Sequence, residues 1–190
     1  MKRSRIIAVL LTLLLELCAA LQLYGTTLVR LSLNQLTSAA TAVAYAKCIG
    51  STSVWHNGEI WTITSFHTEE NWKGALPQEF QVWMLGGRSG AVTSYVPGAP
   101  RFFPGEEVVL FLEPTRSRNL SITAWGEGTF RIHRDPLTGE ARATQDVAST
   151  HVFDPHPQRF RHSRIRDWPL QELKARVLAA ADDPGQGRKK

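Results

Sequence analysis

The four residues His56-Asn57-Gly58-Glu59 constrain the fold more than any other part of this 190-residue chain. Asn-Gly takes the two positive φ angles of a type I′ turn at little steric cost, and that turn matches the twist of the two antiparallel strands it joins. Both flanks suit strands. Upstream, Thr41–Ile49 alternates, with Val43, Tyr45, Lys47 and Ile49 on one side and Ala42, Ala44, Ala46 and Cys48 on the other. Downstream, Glu59–Glu70 (EIWTITSFHTEE) is rich in Thr, Ile, Trp and Phe, the residues that fill pleated surfaces. A long β-hairpin follows, and the small-residue face of its first strand predicts a closely packed helix or second sheet layer.

More β segments come after it. Glu79–Leu85 (EFQVWML) reads as a third strand, and 86–106, dense in Gly and Pro, as a wrapping loop. Val108–Leu112 (VVLFL) is apolar at every position, the pattern of a strand covered on both faces. Ile122–Trp125 and Gly128–His133 read as strand with a bulge near Gly126 or Gly128. Pro136–Gly139 then turns the chain back into Glu140–Val147. Two helices frame these strands. Ser32 is placed to cap a short one through Leu33 and Leu36. Leu170, Leu173, Val177 and Ala181 recur at helical spacing after Asp167 and Pro169. The fold class expected is mainly β, a small antiparallel barrel or sandwich with a short N-terminal helix and a C-terminal amphipathic helix.

The N-terminus opens on Met-Lys-Arg-Ser-Arg, continues through an apolar run from Ile6 to Leu15, and reaches Cys18-Ala19-Ala20. A basic start, a short apolar centre and small residues behind it make up a secretory signal peptide; the alternative is an uncleaved N-terminal anchor, through which alone a membrane would be a partner. Cleavage after Ala20 removes Lys2, Arg3, Arg5 and Glu16, so the net charge falls from +5 to +3. Export to the periplasm, envelope or exterior is the expected localisation, and nucleic acid is an unlikely partner there. The mature chain keeps Cys48 and so has no disulfide scaffold. Apolar residues at 43% and charged residues at 21% exclude an intrinsically disordered chain, a coiled coil and a multi-span membrane protein. The expected organisation is a signal peptide over 1–20 (at most to 25), a β-barrel domain over 26–150 and a basic loop over 151–168. A helix over 169–181 and a polar tail over 182–190 complete it.

AVAYAKCIGSTSVW, Asn71-Trp72-Lys73-Gly74, Gly86-Gly87 and VPGAPRFFPGEEVVLFL, in that order, resemble the netrin/TIMP-like (NTR-like) domain. More closely they resemble secreted bacterial proteins of that kind with no assigned activity. The resemblance covers half to two thirds of the chain and implies an OB-type β-barrel. It does not imply protease inhibition. Tissue inhibitors of metalloproteinases set a disulfide-held N-terminal cysteine against the protease zinc, whereas here Cys18 leaves with the signal and Cys48 sits inside a strand. A shared fold does not carry a function with it.

Patterns for catalysis are sparse. His151, His156 and His162 lie five and six residues apart, no histidine pair has the i, i+4 spacing of one helix face, and Cys-x-x-Cys is absent. Ser89 lacks a Gly-x-Ser-x-Gly elbow, and neither phosphate-binding glycine pattern occurs. No cofactor and no metal are therefore expected, and no catalytic residue is assigned. Recognition is better supplied. Residues 86–104 combine Arg88, Tyr95, Arg101, Phe102 and Phe103, while Arg159 and Arg161 flank Phe160 in a basic strip. Trp55, Trp61, Trp72 and Trp83 are further candidates for ligand contact from strands. The leading expectation is an exported, non-enzymatic module that binds a protein or anionic polymer outside the cytoplasm. One alternative is a metal-dependent hydrolase built on His67, His133 and nearby carboxylates. The other is a purely structural envelope protein.

Overall fold

The structure, a computed structural model, describes residues 28–29, 31–146, 152–154, 159–161 and 165–182. The expected signal peptide, His151, His156, His162 and residues 183–190 of the tail lie outside those residues. In chain order the strands are β1 (Leu28–Val29), β2 (Ala42–His56), β3 (Glu59–Lys73), β4 (Glu79–Leu85), β5 (Gly87–Ser89), β6 (Val92–Ser94) and β7 (Glu107–Pro114). They continue with β8 (Leu120–Ile122), β9 (Thr129–Arg134), β10 (Ala141–Gln145), β11 (Val152–Asp154), β12 (Arg159–Arg161) and β13 (Trp168–Pro169). The helices are α1 (Leu33–Ala39) and α2 (Leu170–Asp182).

The fold is mainly β, as the patterning implies, and its centre is a ring of strands. The main sheet runs β13-β10-β9-β7-β2-β3-β4-β8, and β8 also pairs with β7, so β2, β3, β4, β8 and β7 return on themselves. The closure is thin. β4 meets β8 in parallel at one register pair, Val82 with Leu120. β2 and β3 form the long hairpin, closing at His56 and Glu59 around Asn57 (φ 52°) and Gly58 (φ 81°), both left-handed as a type I′ turn requires.

Alternation along β7 divides the protein into two cores. Val108, Leu110 and Leu112 face the inside of the ring with Phe66, Phe80, Val82 and Met84. Val109 and Phe111 face outward, beneath Leu36 of α1 and Leu170, Leu173 and Val177 of α2. This is why VVLFL is apolar at every position: both phases of the strand period are buried. In β2 the small face (Ala42, Ala46, Cys48) lines the ring interior. The helices instead cover the opposite face, at Val43, so the close packing that small side chains permit is across the ring and not against a helix.

Local chemistry fixes the helix ends. The Ser32 hydroxyl accepts the Gln35 N–H at 3.2 Å while the Gln35 side chain accepts the Ser32 N–H at 2.8 Å, a reciprocal capping box. At the other end of α1, Lys73 Nζ donates to the carbonyls of Thr37 and Ala40, each at 2.6 Å. A cation there meets the negative end of the helix dipole.

Three expectations change. The bulge near Gly126 or Gly128 is instead a 3-10 turn over Trp125–Gly128. A Cβ on Gly128 would stand 2.1 Å from the Thr123 carbonyl oxygen, so the tight return of the chain there admits only glycine. The 86–106 loop holds a small hairpin, β5 with β6. The 151–168 segment is more than a loop: β11 pairs in parallel with β1 and antiparallel with β12, and β13 pairs with β10. Short local ladders satisfy backbone groups in segments whose composition carries no strand periodicity.

Candidate interaction surface

Since β7 and the first half of β2 are covered by helices, the far half of the hairpin and β4 decide what the outer surface offers. Register places side chains there in rows. Val54, Trp61 and Leu85 form one, and Thr52, Ile63 and Trp83 the next; Gly50, Ser65 and Gln81 make a third. Their neighbours Ile60, Thr64, Phe66, Phe80, Val82 and Met84 are buried inside the ring, so these rows face outward, partly or fully exposed. Trp83 packs 5.5 Å edge-on from the His56 ring and 6.4 Å from Trp61. The Trp61 indole N–H is shielded and meets no acceptor among the described residues. Beside this cluster a shallow groove of about 280 Å³ is lined by Ile49, Gly50, Ser51, Thr52, Ile63, Ser65 and Gln81. The result is an aromatic platform with a polar margin on a sheet face that neither described helix covers.

The loop leaves from the end of that platform. Gly86 N–H donates to the Ile60 carbonyl at 2.8 Å, and Gly87 (φ 137°) brings the backbone against Ser53 and Thr62, where a Cβ would stand 2.5 and 2.3 Å from their hydroxyls. The loop then crosses the mouth of the ring. Here the two adjacent phenylalanines part. Phe102 is 6% exposed and sits inside the ring, edge-on to Phe66 at 5.1 Å with the Arg131 guanidinium 5.6 Å over its ring. Phe103 is 70% exposed. Phe102 is therefore a core residue and not a contact residue, because alternate side chains of an extended segment point to opposite sides. Tyr95 is 69% exposed, and Arg88 and Arg101 are also on the surface. Arg88 Nε bonds the Gly90 carbonyl at 3.2 Å, and the Arg101 carbonyl accepts from Arg131 at 2.8 Å. Both fix backbone shape and leave the Arg101 guanidinium to solvent. Arg159 and Arg161 fall in β12, whose side chains are outside the described set.

The four tryptophans separate as well. Trp61 and Trp83 join the platform, and Trp55 is 55% exposed near the hairpin tip. Trp72 is buried in the helix-side core with its indole N–H donating to Glu70 at 2.9 Å. A hint of the platform exists in the sequence. EIWTITSF and EFQVWML are apolar on both phases of the strand period, and a strand with no helix over its outer phase must expose one of them.

Charged groups are engaged with one another. Arg131 binds Glu106 and, at 2.7 Å, Asp146. Burial disfavours the charge on Arg131, yet those carboxylates outweigh it and raise its pKa. Tyr45 donates to Glu107, which also accepts from Arg134 at 2.9 Å. Burial pushes the Glu107 carboxyl up, but the bonds from Tyr45 and Arg134 win and hold it below the ordinary range. Burial, followed by Glu107, pushes the Tyr45 hydroxyl well up. His133 Nε2 lies 3.0 Å from Asp167, and Arg142 holds the same carboxylate at 2.9 Å. His67 and His133 are on β3 and β9 with β2 and β7 between them, so the pair on which a hydrolase site would rest is not brought together. No group of three or more metal-ligating side chains occurs among the described residues. Cys48 is buried in the ring, and burial raises its thiol pKa, as for an unreactive core residue.

Comparison with family models, with curated proteins and with solved structures finds no match for this chain.

Proposed function

We propose that this chain is an exported, non-enzymatic interaction module that binds a protein or anionic polymer outside the cytoplasm. Its contact surface is the outer face of β2, β3 and β4, extended by Tyr95, Arg101 and Phe103 of the loop. One observation carries this reading: His56, Trp61 and Trp83 are clustered on a sheet face over which no described element packs. Large aromatics left at a surface are well suited to binding, since they bury much area with few rotatable bonds. The two loop arginines supply the attraction for an anionic partner. An OB-type, netrin/TIMP-like ring is part of the proposal. It is supported by the ring order β2-β3-β4-β8-β7 with its parallel β4–β8 contact.

Crosslinked capture from the native envelope or culture fluid tests it, comparing wild type with Trp83→Ala and with the double variant Arg101→Ala/Phe103→Ala. Both alter exposed or half-exposed side chains, so circular dichroism should stay unchanged. Loss of the same captured partner from both variants supports the surface. Undiminished capture by two folded variants sinks it.

A further inference from the structure

β2 is fifteen residues long, but β7 pairs only with Ala42–Lys47 of it. Just beyond that point the turn before β7 meets β2, where Cys48 N–H donates to the Glu106 carbonyl and Gly105 N–H to the Cys48 carbonyl, both at 2.8 Å. From Gly50 to His56 no described strand pairs with this edge; β5 touches it through a side chain alone, the Ser53 hydroxyl accepting the Arg88 N–H at 3.3 Å. The alternation of the hairpin says which groups line it. His56 and Glu59 flank a two-residue loop and exchange hydrogen bonds, so Val54 and Thr52 also bond β3. Ser51, Ser53 and Trp55 fall between them and turn their N–H and C=O groups outward. The opposite strand agrees: the Ile60 carbonyl, across from Trp55, points away from β2 and accepts from Gly86.

Exposed edges invite pairing, and soluble proteins ordinarily blunt them with lysines, prolines or bulges. This edge carries no Lys, Arg, Asp, Glu or Pro between Ile49 and His56, and its centre, Ser-Thr-Ser-Val-Trp, is strand-forming. We infer that β2 pairs antiparallel with β2 of a second copy about a two-fold axis at Ser53, extending the sheet across the dimer. In that register Ser53 faces its own counterpart, Ser51 faces Trp55 of the other copy, and Thr52 faces Val54. No like charges meet along the seam, which a positively charged chain needs in order to pair with itself. Gly50 adds no obstruction, for nothing stands within 4 Å of where its Cβ would be. Each hairpin tip comes to rest beside the Phe103–Gly105 turn of the other copy, covering Trp55 and Phe103, two of the most exposed aromatic side chains.

Sedimentation velocity on the mature protein from low micromolar to millimolar concentration should show a monomer–dimer equilibrium. Amide exchange at Ser51, Ser53 and Trp55 should slow as the dimer forms. Ser51→Pro removes an outward N–H that no described residue uses. It also removes the Ser51–Thr64 hydroxyl bond at 2.9 Å, so circular dichroism must first show that the monomer keeps its fold, and Trp55→Lys carries the test if it does not. Ser51→Pro should raise the dimer dissociation constant about tenfold or more, since each loss counts twice across the axis. Trp55→Lys sets a charge on the edge and should do the same, whereas Leu137→Ser, on a distant exposed turn, should not. A protein monomeric throughout overturns the inference. So does a dimer indifferent to both edge variants, or an edge that pairs with an extended segment of another protein while the chain itself stays monomeric.

Discussion

Phe102 and Phe103 are neighbours in sequence and opposites in energy, and replacing each with alanine measures how the loop closes the ring. Phe102 lies against Phe66 and, through it, the Phe66–Phe80 stack at 5.5 Å. Truncating a buried phenylalanine costs about 3–5 kcal/mol, from lost transfer energy and from the cavity it leaves. The Arg131 guanidinium over the same ring is lost too, although Arg131 keeps its carboxylate partners. Against the roughly 5–15 kcal/mol that stabilises an ordinary domain, this is a large share. A chain of this size loses about 2–4 °C in Tm per kcal/mol, so Phe102→Ala should melt roughly 6–20 °C lower. Phe103→Ala should stay within about 0.5 kcal/mol of wild type. Urea unfolding followed by tryptophan fluorescence provides the assay, with the slope against denaturant held constant to show that only stability has moved. A Phe102→Ala cost below about 1 kcal/mol would refute the plug, since burying just two methylene groups already contributes about 1.6 kcal/mol. Equal losses at both positions would refute the claim that the two side chains point to opposite sides.

Gly128→Ala should cost about 1–3 kcal/mol or more, because the added methyl meets the backbone carbonyl of Thr123 and no rotamer relieves it; thermal melting checks this. Lys73→Met removes both hydrogen bonds to the end of α1 and should cost about 1–2 kcal/mol, read by urea unfolding and by faster amide exchange in α1. Glu107 has a folded-state pKa below its unfolded value. Its contribution is therefore complete above the unfolded carboxylate range, near ~4.3, and fades as pH falls through the folded-state value. Glu107→Gln should flatten the loss of stability between neutral and acid pH, and a variant whose acid profile matched wild type would contradict the Tyr45–Glu107–Arg134 network.

Much of the candidate surface was hard to read for a specific reason. Trp61, Trp72 and Trp83 all occupy strand segments with similar neighbours, yet Trp72 is buried under α2 while the other two stand on the open half of the sheet. Nothing local distinguishes them, because the difference lies in where helices some 30 residues before and 100 residues after come to rest. The same holds for the paired phenylalanines. Period-two alternation says that Phe102 and Phe103 diverge, but which one enters the ring depends on the hydrogen bonds that anchor the Phe103–Glu106 turn to β2.

The sequence by itself determined the pieces whose causes are local: the Asn57-Gly58 hairpin, the Ser32–Gln35 cap, the third strand at Glu79–Leu85, the doubly buried VVLFL segment and the amphipathic C-terminal helix. Each rests on backbone preference or on periodicity within about ten residues. Tertiary structure alone decided that five strands close into a ring, that α1 and α2 cover one half of its outside, and that no described strand pairs with the edge of β2 past Cys48. These depend on contacts between residues far apart in the chain, where competing partners of similar apolar character differ only in position, and position is a property of the assembled fold.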